Sequence, residues 1–160
     1  MPKSIAKMKN KGYILLLLLF LTGCFSSKPT ETLLLKCQKL RNYEYYNGTN
    51  IVGLYGTDEK HITMAEMVES YTPKWDDVDM DILKENLEKQ KEEYEKKYEN
   101  ITFVIDEIKR NITIDIKIPL TKQNLVQMKN DDNYQSAIEN ETFMLSLYKQ
   151  TLEENAYICQ

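Results

Sequence analysis

The chain has few of the residues from which most metal and nucleophilic sites are built. Its 160 residues include one histidine, three cysteines and five glycines. Because His61 is the only histidine, the chain cannot assemble a zinc site from several histidines, and no nucleophile elbow accompanies this residue. The glycines do not form a loop of the kind that cradles phosphate groups. The sequence therefore indicates no cofactor, no metal and no recognisable catalytic constellation.

Positive charge is scarce beyond the N-terminal region. The first 23 residues carry Lys3, Lys7, Lys9 and Lys11 and no acidic residue. The rest of the chain therefore has 17 of the 21 basic residues against all 25 acidic residues, a net charge of −8. A surface of this sign is repelled by nucleic acid and by anionic lipid headgroups. We therefore expect no nucleic-acid partner.

The segment YILLLLLFLTGC, from Tyr13 to Cys24, dominates the N-terminal region. A basic stretch, a short apolar run and a small residue before a cut are typical of secretory signals, and this run is too short for a resident spanning helix. Its last four residues, LTGC, match the lipobox of bacterial lipoproteins, in which the peptide is cut before a cysteine whose thiol is acylated. A plain signal peptide and a retained membrane anchor are the alternatives.

The lipobox divides the chain into three segments. Residues 1–23 are the predicted signal peptide, residues 24–32 are a lipidated cysteine and a short tether, and residues 33–160 form one domain. Acyl chains such as palmitate on Cys24 would hold the protein on the cell membrane, since two or more chains give stable attachment. Because an eight-residue tether extends at most about 28 Å, the domain is expected close to the membrane and outside the cytoplasm.

Hydrophobic periodicity predicts an α+β domain with a mostly antiparallel sheet. The plainest strand is 112–118, where four isoleucines alternate with polar residues. One long amphipathic helix is expected over 78–100, with Leu83, Leu87, Tyr94 and Tyr98 on its buried stripe, and a shorter C-terminal helix over 144–154 is expected to pack on the same face of the sheet. Further predicted elements are strands at 33–41, 51–55, 101–108 and 156–159, a short helix at 121–129, and turns at 47–48 and 109–111.

The segment from His61 to Tyr71 fits two structures. Its apolar residues have helical spacing, and Thr63 with Glu66 suits a capping box. As a strand it would place Ile62, Met64 and Val68 on one face, with Glu66 among them. Periodicity alone slightly favours the helix.

An acidic cluster lies just before the long helix. Asp77, Asp79, Asp81 and Glu88 have the spacing of a calcium-binding loop, but Ile82 stands where that loop needs glycine. An acidic helix N-terminus, which the helix dipole favours, explains the cluster better.

Tyrosine is abundant, with eleven residues, and three of them lie together at Tyr43, Tyr45 and Tyr46. Tyrosine offers a large contact area with a polar tip, so this group is a candidate recognition surface. Ordinary strand and core positions are the alternative.

The chain has two cysteines in addition to Cys24, namely Cys37 and Cys159. Outside the cytoplasm they can form a disulfide, which would close a loop of more than a hundred residues and contribute on the order of 5 kcal/mol in the chain-entropy model. Two buried free thiols are the alternative.

Four segments of the chain resemble the small YehR-like bacterial lipoproteins of unknown function. They are LKCQ at 35–38, YEKKYENITF at 94–103, the strand at 111–118 and ENAYIC at 154–159. The resemblance covers residues 33–160 and implies an antiparallel sheet carrying helices, a Cys37–Cys159 bridge between adjacent strands, and a strand rather than a helix over 59–71. It also implies glycine at position 156, where this chain has Ala156, so we expect Asn155 to take the left-handed conformation. The family brings no catalytic residue.

These features together predict a membrane-anchored lipoprotein that acts as a non-enzymatic binding or interaction module for a protein or a small-molecule ligand. The alternative is a cell-envelope hydrolase that uses paired carboxylates. A deep pocket with two close carboxylates would favour the hydrolase, and an exposed apolar patch on the sheet would favour a partner.

Overall fold

A six-stranded antiparallel sheet organises residues 30–160, the part of the chain that this computed structural model describes. The predicted signal peptide, Cys24 and the predicted tether up to residue 29 lie outside the described residues. The strands are β1 (Thr32–Asn42), β2 (Tyr46–Asp58), β3 (His61–Pro73), β4 (Thr102–Ile108), β5 (Asn111–Pro119) and β8 (Ile158–Cys159), in the order β4-β5-β3-β2-β1-β8. The helices are α1 (Met80–Lys97), α2 (Lys122–Met128) and α3 (Leu145–Glu154), and a short hairpin of β6 (Ile138–Glu139) and β7 (Thr142–Phe143) precedes α3. The predicted α+β class with a mostly antiparallel sheet is confirmed.

One face of the sheet forms the core. The four isoleucines predicted to point inward from β5 are at most 1% exposed. Strand register sets Ile116 between Met67 of β3 and Phe103 of β4, and Tyr94 of α1 packs edge-on against Phe103 with ring centroids 5.8 Å apart. Burial of this apolar surface is the main force that holds the helices on the sheet.

Helix α1 has 18 residues and is shorter at both ends than the predicted 78–100. It begins after Asp79, whose carboxylate accepts a hydrogen bond from the backbone N–H of Asp81 at 2.9 Å. Leu87 is 3% exposed, which confirms it as part of the buried stripe. Glu92 and Lys96 form an ion pair at 3.6 Å on an exposed face, and Lys97 pairs with Asp131.

The predicted turn at Asn47-Gly48 is wrong. Both residues belong to β2, which is longer than the predicted 51–55, and Gly48 pairs with Arg41 on one side and Tyr71 on the other. A Cβ atom at Gly48 would lie 2.7 Å from the carbonyl oxygen of Ser70, so glycine is needed here for close packing of strands. The chain turns three residues earlier, at 43–45.

The ambiguous segment is a strand, as the resemblance implied. β3 pairs with β2 and β5 along most of its length and therefore lies inside the sheet. Its apolar residues occupy both faces, with Met67 and Tyr71 toward the helices and Met64 and Val68 toward the other side. Apolar residues on both faces of a strand remove the strict alternation, which explains why the spacing resembled that of a helix.

The last helix ends in a way that the sequence did not predict. Ala156 takes the left-handed conformation with φ of 62°, while Asn155 has φ of −89°, so the expectation for Asn155 is wrong. The amide of Asn155 donates instead to the carbonyl oxygen of Thr151 at 2.8 Å and caps the helix. Strand β8 then joins β1, and Cys37 and Cys159 form a disulfide between these adjacent strands.

Two tight turns reverse the chain with residues other than glycine. Lys109 and Arg110, at the predicted turn between β4 and β5, have φ of 50° and 67°, and Asn140 and Glu141 connect β6 to β7 with φ of 47° and 59°. Successive positive φ values match the right-handed twist of the flanking strands. None of the helices in residues 30–160 is both long and apolar enough to cross a membrane.

Candidate functional site

A pocket of about 330 Å³ opens where the β1–β2 turn meets the segment that leads into α1. Tyr45, Trp75 and Ile82 on its lining are 50%, 56% and 61% exposed, so three large apolar side chains are left partly in water around one hollow. The complete lining is Tyr45, Tyr46, Trp75, Asp77, Val78, Asp79 and Ile82. Its volume is at the small end of the range of small-molecule sites, and its composition of aromatic walls with a few polar groups is typical of them.

Hydrogen bonds connect the two walls of this aromatic pocket. The backbone N–H of Lys74 donates to the carbonyl oxygen of Tyr45 at 3.0 Å. The hydroxyl of Tyr46 donates to the backbone carbonyl oxygen of Asp79 at 3.4 Å. From the β4–β5 turn, the guanidinium of Arg110 donates to the carbonyl oxygens of Asp76 and Val78 at 2.7 and 2.6 Å. The segment between β3 and α1 is thus attached on both sides of the pocket.

The tyrosines of the β1–β2 turn form a chain of ring contacts that runs into the sheet. Tyr45 packs against Tyr46 and Tyr46 against Tyr71, each with ring centroids 6.4 Å apart. The Tyr71 hydroxyl donates a hydrogen bond to the carboxylate of Glu69, and burial together with this bond raises the pKa of Tyr71. Tyr43 contacts Tyr71 at 5.9 Å and does not line the pocket. The predicted recognition group is therefore divided, with two of its three members in the pocket.

The charge of the pocket is negative. Asp77 and Asp79 are exposed side chains on its lining, and no lysine or arginine of residues 30–160 is among the lining residues. The acidic helix N-terminus that the sequence predicted is present, because Asp79 caps α1 and Asp81 lies in its first turn. In the described part of the chain no group of three or more histidine, cysteine, aspartate or glutamate side chains is arranged to hold a metal ion.

A second polar cluster, around Asp131, holds the loop after α2 against α1. Asp131 is 8% exposed and accepts hydrogen bonds from the hydroxyl of Tyr98 at 2.7 Å, from the backbone N–H of Asn133 at 3.0 Å and from the ammonium of Lys97. Burial opposes ionisation of Asp131, but these bonds outweigh it and lower the pKa of the carboxyl. Because its donors are already engaged within the protein, this cluster stabilises the loop and offers no open site.

Asn124 makes a similar structural connection at the start of α2. Its side chain is completely buried and donates to the carbonyl oxygens of Glu99 and Pro119 at 2.9 and 2.8 Å. Its own oxygen accepts from the backbone N–H of Glu99 at 2.8 Å. The amide therefore joins the end of α1 to the end of β5, and we assign it no ligand.

A pair of carboxylates lies on the sheet face opposite the helices. The ammonium of Lys117 is 3.1 Å from Glu66 and 3.0 Å from Asp115, so it bridges the two groups. The hydroxyl of Tyr55 donates to Glu66 at 2.6 Å, and this bond raises the pKa of Tyr55 to about 12. Glycoside hydrolases need an acid and a base with the substrate between them, whereas here a cation occupies that space.

The single histidine lies far from the pocket along the sheet. His61 is the exposed first residue of β3, next to the β2–β3 turn, and its Nδ1 is 2.8 Å from the carboxylate of Asp58. This hydrogen bond lowers the pKa of Asp58. The turn is at the opposite end of β2 from Tyr46, so His61 and the aromatic pocket do not form one site.

Exposed apolar side chains also occur on the open face of the sheet. Leu40, Val104 and Ile158 are 83%, 48% and 67% exposed, and the register places charged or polar residues such as Lys36 and Gln38 among them. Side chains scattered singly in this way are normal for a protein surface. The aromatic pocket is therefore the better candidate site.

Sequence reasoning identified two tyrosines and two aspartates of the pocket without connecting them, and it missed Trp75. The usable signal was the single tryptophan of the chain, placed in a polar segment between Pro73 and the acidic cluster, where no hydrophobic pattern accounts for it. Comparisons of the chain with protein-family models, with curated proteins and with solved structures found no match.

Proposed function

We propose that this chain is a bacterial lipoprotein, held on the outer side of the cell membrane by acyl chains on Cys24, that binds a small organic ligand in the aromatic pocket without catalysis. The observation that carries the proposal is the pocket itself, in which Trp75 and Tyr45 remain half exposed on walls that are fixed by hydrogen bonds. Exposed aromatic surface costs free energy in water, and a ligand that covers it regains that free energy.

Two observations support the lipid anchor. The lipobox ends at Cys24, and the Cys37–Cys159 disulfide suits the oxidising environment outside the cytoplasm, where such bonds persist. The disulfide, its position on adjacent strands and the strand at 61–73 also agree with what the resemblance to YehR-like lipoproteins implies. We include membership of that family in the proposal.

The geometry of the chain favours a pocket that faces away from the membrane. The tether leads into the first residue of β1, and the pocket lies beyond its last residue, Asn42. Eleven residues of extended strand span roughly 35 Å. A ligand dissolved outside the cell would then reach Trp75 without contact with the lipid surface.

Binding is better supported than hydrolysis. Of the two carboxylates on the pocket, Asp79 already accepts the capping hydrogen bond of α1. Both carboxylates are exposed to water, whereas a general acid needs a raised pKa, which burial would provide. The other close pair, Glu66 and Asp115, is bridged by Lys117. The hydrolase with paired carboxylates stays the alternative.

Ligand-observed NMR on the full-length protein in detergent micelles tests the proposal. A collection of small compounds found at the bacterial surface is screened by saturation transfer, together with the variants Trp75→Ala and Leu40→Ala. We expect compounds whose signal is lost with Trp75→Ala and kept with Leu40→Ala, because Leu40 is exposed on the far face of the sheet. A screen in which no compound distinguishes wild type from Trp75→Ala would contradict the binding role of the pocket.

A further inference from the structure

We infer that the aromatic pocket selects ligands that carry an alkylammonium group, a cation of the trimethylammonium type. This inference rests on the proposed function and adds the chemical class of the ligand. Three observations lead to it: the lining carries negative charge, it presents aromatic rings, and the neighbouring cations already have partners within the protein.

The lining combines two features that attract the same kind of ligand. The ring faces of tryptophan and tyrosine carry partial negative charge and attract a cation within about 6 Å of the ring centroid. Trp75, Tyr45 and Tyr46 supply such rings, and Asp77 and Asp79 add full negative charges beside them. An anionic ligand would be repelled by both features, and a neutral one would gain only from the rings.

Two cations of the segments that border the pocket already have partners within the protein. The ammonium of Lys74 donates to the carbonyl oxygen of Tyr43, and the guanidinium of Arg110 donates to two backbone carbonyl oxygens and lies 3.8 Å from the carboxylate of Asp76. Neither residue lines the pocket. Asp77 has no cationic partner among residues 30–160 and can therefore pair with a ligand.

The N-terminus of α1 beside the pocket would by itself favour an anion, because its free N–H groups carry partial positive charge. Asp79 caps this end, and Asp81 adds a second negative charge in the first turn. Together these carboxylates oppose the partial positive charge of the helix end. The small size of the pocket suits a headgroup rather than a long chain.

Choline and 3,3-dimethylbutan-1-ol form a matched pair of probes, since the second compound replaces the charged nitrogen with carbon and keeps the shape. Trp75 is the only tryptophan of the chain, so its fluorescence reports directly on the pocket during titration of the full-length protein in detergent micelles. We expect choline to bind about tenfold more tightly than the alcohol, within the range that cation–π contacts and a partly exposed ion pair provide. Added salt should weaken the binding of choline only.

Two aspartate variants separate the charge effect from structural damage. Asp77→Asn should reduce choline affinity several-fold and leave binding of the alcohol unchanged, whereas Asp106→Asn, which removes an exposed charge on β4, should change neither. Thermal melting followed by circular dichroism verifies that both variants are folded.

Equal affinities for choline and the alcohol would overturn the cation preference while leaving the pocket as a binding site. Absence of choline binding would also overturn it, and the proposed function would then be decided by the compound screen. Loss of affinity with Asp106→Asn equal to the loss with Asp77→Asn would show that only the overall charge of the protein matters, which likewise contradicts a selective site.

Discussion

Cys37 and Cys159 lie directly opposite each other on the antiparallel strands β1 and β8, with Cα atoms 4.0 Å apart and a sequence separation of 122 residues. The flanking residues Lys36 and Gln160 exchange two backbone hydrogen bonds, so the cysteines occupy the non-hydrogen-bonded position, where side chains approach most closely. The bond closes the domain by joining its first strand to its last. Strand β8 has only two residues, so its place in the sheet depends strongly on this bond.

Reduction of the disulfide should therefore lower stability without changing the fold. A loop of this length contributes about 5 kcal/mol in the chain-entropy model, which corresponds to a fall in Tm on the order of 15 °C for a domain of this size. Circular dichroism melting with and without reductant measures the shift, and a non-reducing digest should yield the two cysteine peptides as one linked species. Free thiols at both positions in protein exported by its native host would contradict the assignment.

The proposed anchor makes a separate prediction about Cys24. Cells grown with labelled palmitate should incorporate label into wild type and into Cys37→Ala, but not into Cys24→Ala, because Cys24 is the one proposed acylation site. Immunoprecipitation and gel electrophoresis measure the label. Equal labelling of wild type and Cys24→Ala would overturn the lipoprotein assignment.

The buried stripe of α1 makes one side of this helix sensitive to substitution and leaves the other tolerant. Leu87→Asp should unfold the domain, since Leu87 is 3% exposed and an unpaired buried charge costs several kcal/mol. Leu87→Ala should lower the free energy of unfolding by about 2–5 kcal/mol. Glu92→Ala removes a side chain that is 71% exposed and should change it by less than about 0.5 kcal/mol. Urea denaturation compares the three, and similar shifts for Leu87→Ala and Glu92→Ala would mean that the buried face is misassigned.

The sequence correctly predicts a strand when only one face of that strand is buried. The alternating isoleucines of β5 face one core, so their period of two is intact, and the predicted strand matches the structure within a residue at each end. The strand β3 lies between two neighbours with apolar residues on both faces, and its period is lost. Gly48 illustrates a different failure, because its dipeptide suggests a local turn while its actual role depends on the distance to another strand.

The pocket depends on contacts that no local pattern encodes. Tyr46 and Asp79 are 33 residues apart, and Arg110 reaches Val78 across 32 residues. The residue types are visible in the sequence, but their convergence follows from the sheet order, in which β3 pairs with both β2 and β5. The charge and the aromatic content of this region could be predicted, and the convergence of these residues on one pocket could not.

The end of α3 offers a stabilising substitution. Ala156 has φ of 62°, a conformation that costs a residue with a Cβ atom about 1 kcal/mol and that glycine adopts freely. Ala156→Gly should therefore raise the free energy of unfolding by roughly 0.5–1 kcal/mol. Asn155→Gly is the matched control and should lower it, since Asn155 has negative φ and its amide caps the helix. Urea denaturation measures both, and a loss of stability with Ala156→Gly would contradict this account.

Asp131 should make stability depend on pH. Its pKa is lowered in the folded protein, where the bonds from Lys97, Tyr98 and Asn133 outweigh burial, while in the unfolded chain it is near the ordinary value of about 3.9. A carboxyl with a lowered folded pKa binds protons more readily when the chain is unfolded. Its contribution to stability is therefore complete above about pH 4 and is lost as pH falls through the folded pKa.

Asp131→Asn tests this assignment because it keeps the shape of the side chain and removes the charge. At pH 7 the variant should be less stable by about 1–3 kcal/mol, since Lys97 and Tyr98 lose a charged acceptor inside the protein. The difference from wild type should shrink steadily below pH 4, because the wild-type carboxyl is then protonated as well. Asp132→Asn, an exposed neighbour, should keep the wild-type pH dependence. Urea denaturation at several pH values provides the comparison, and a gap between wild type and Asp131→Asn that stays constant down to pH 2 would show that the charge of Asp131 does not contribute.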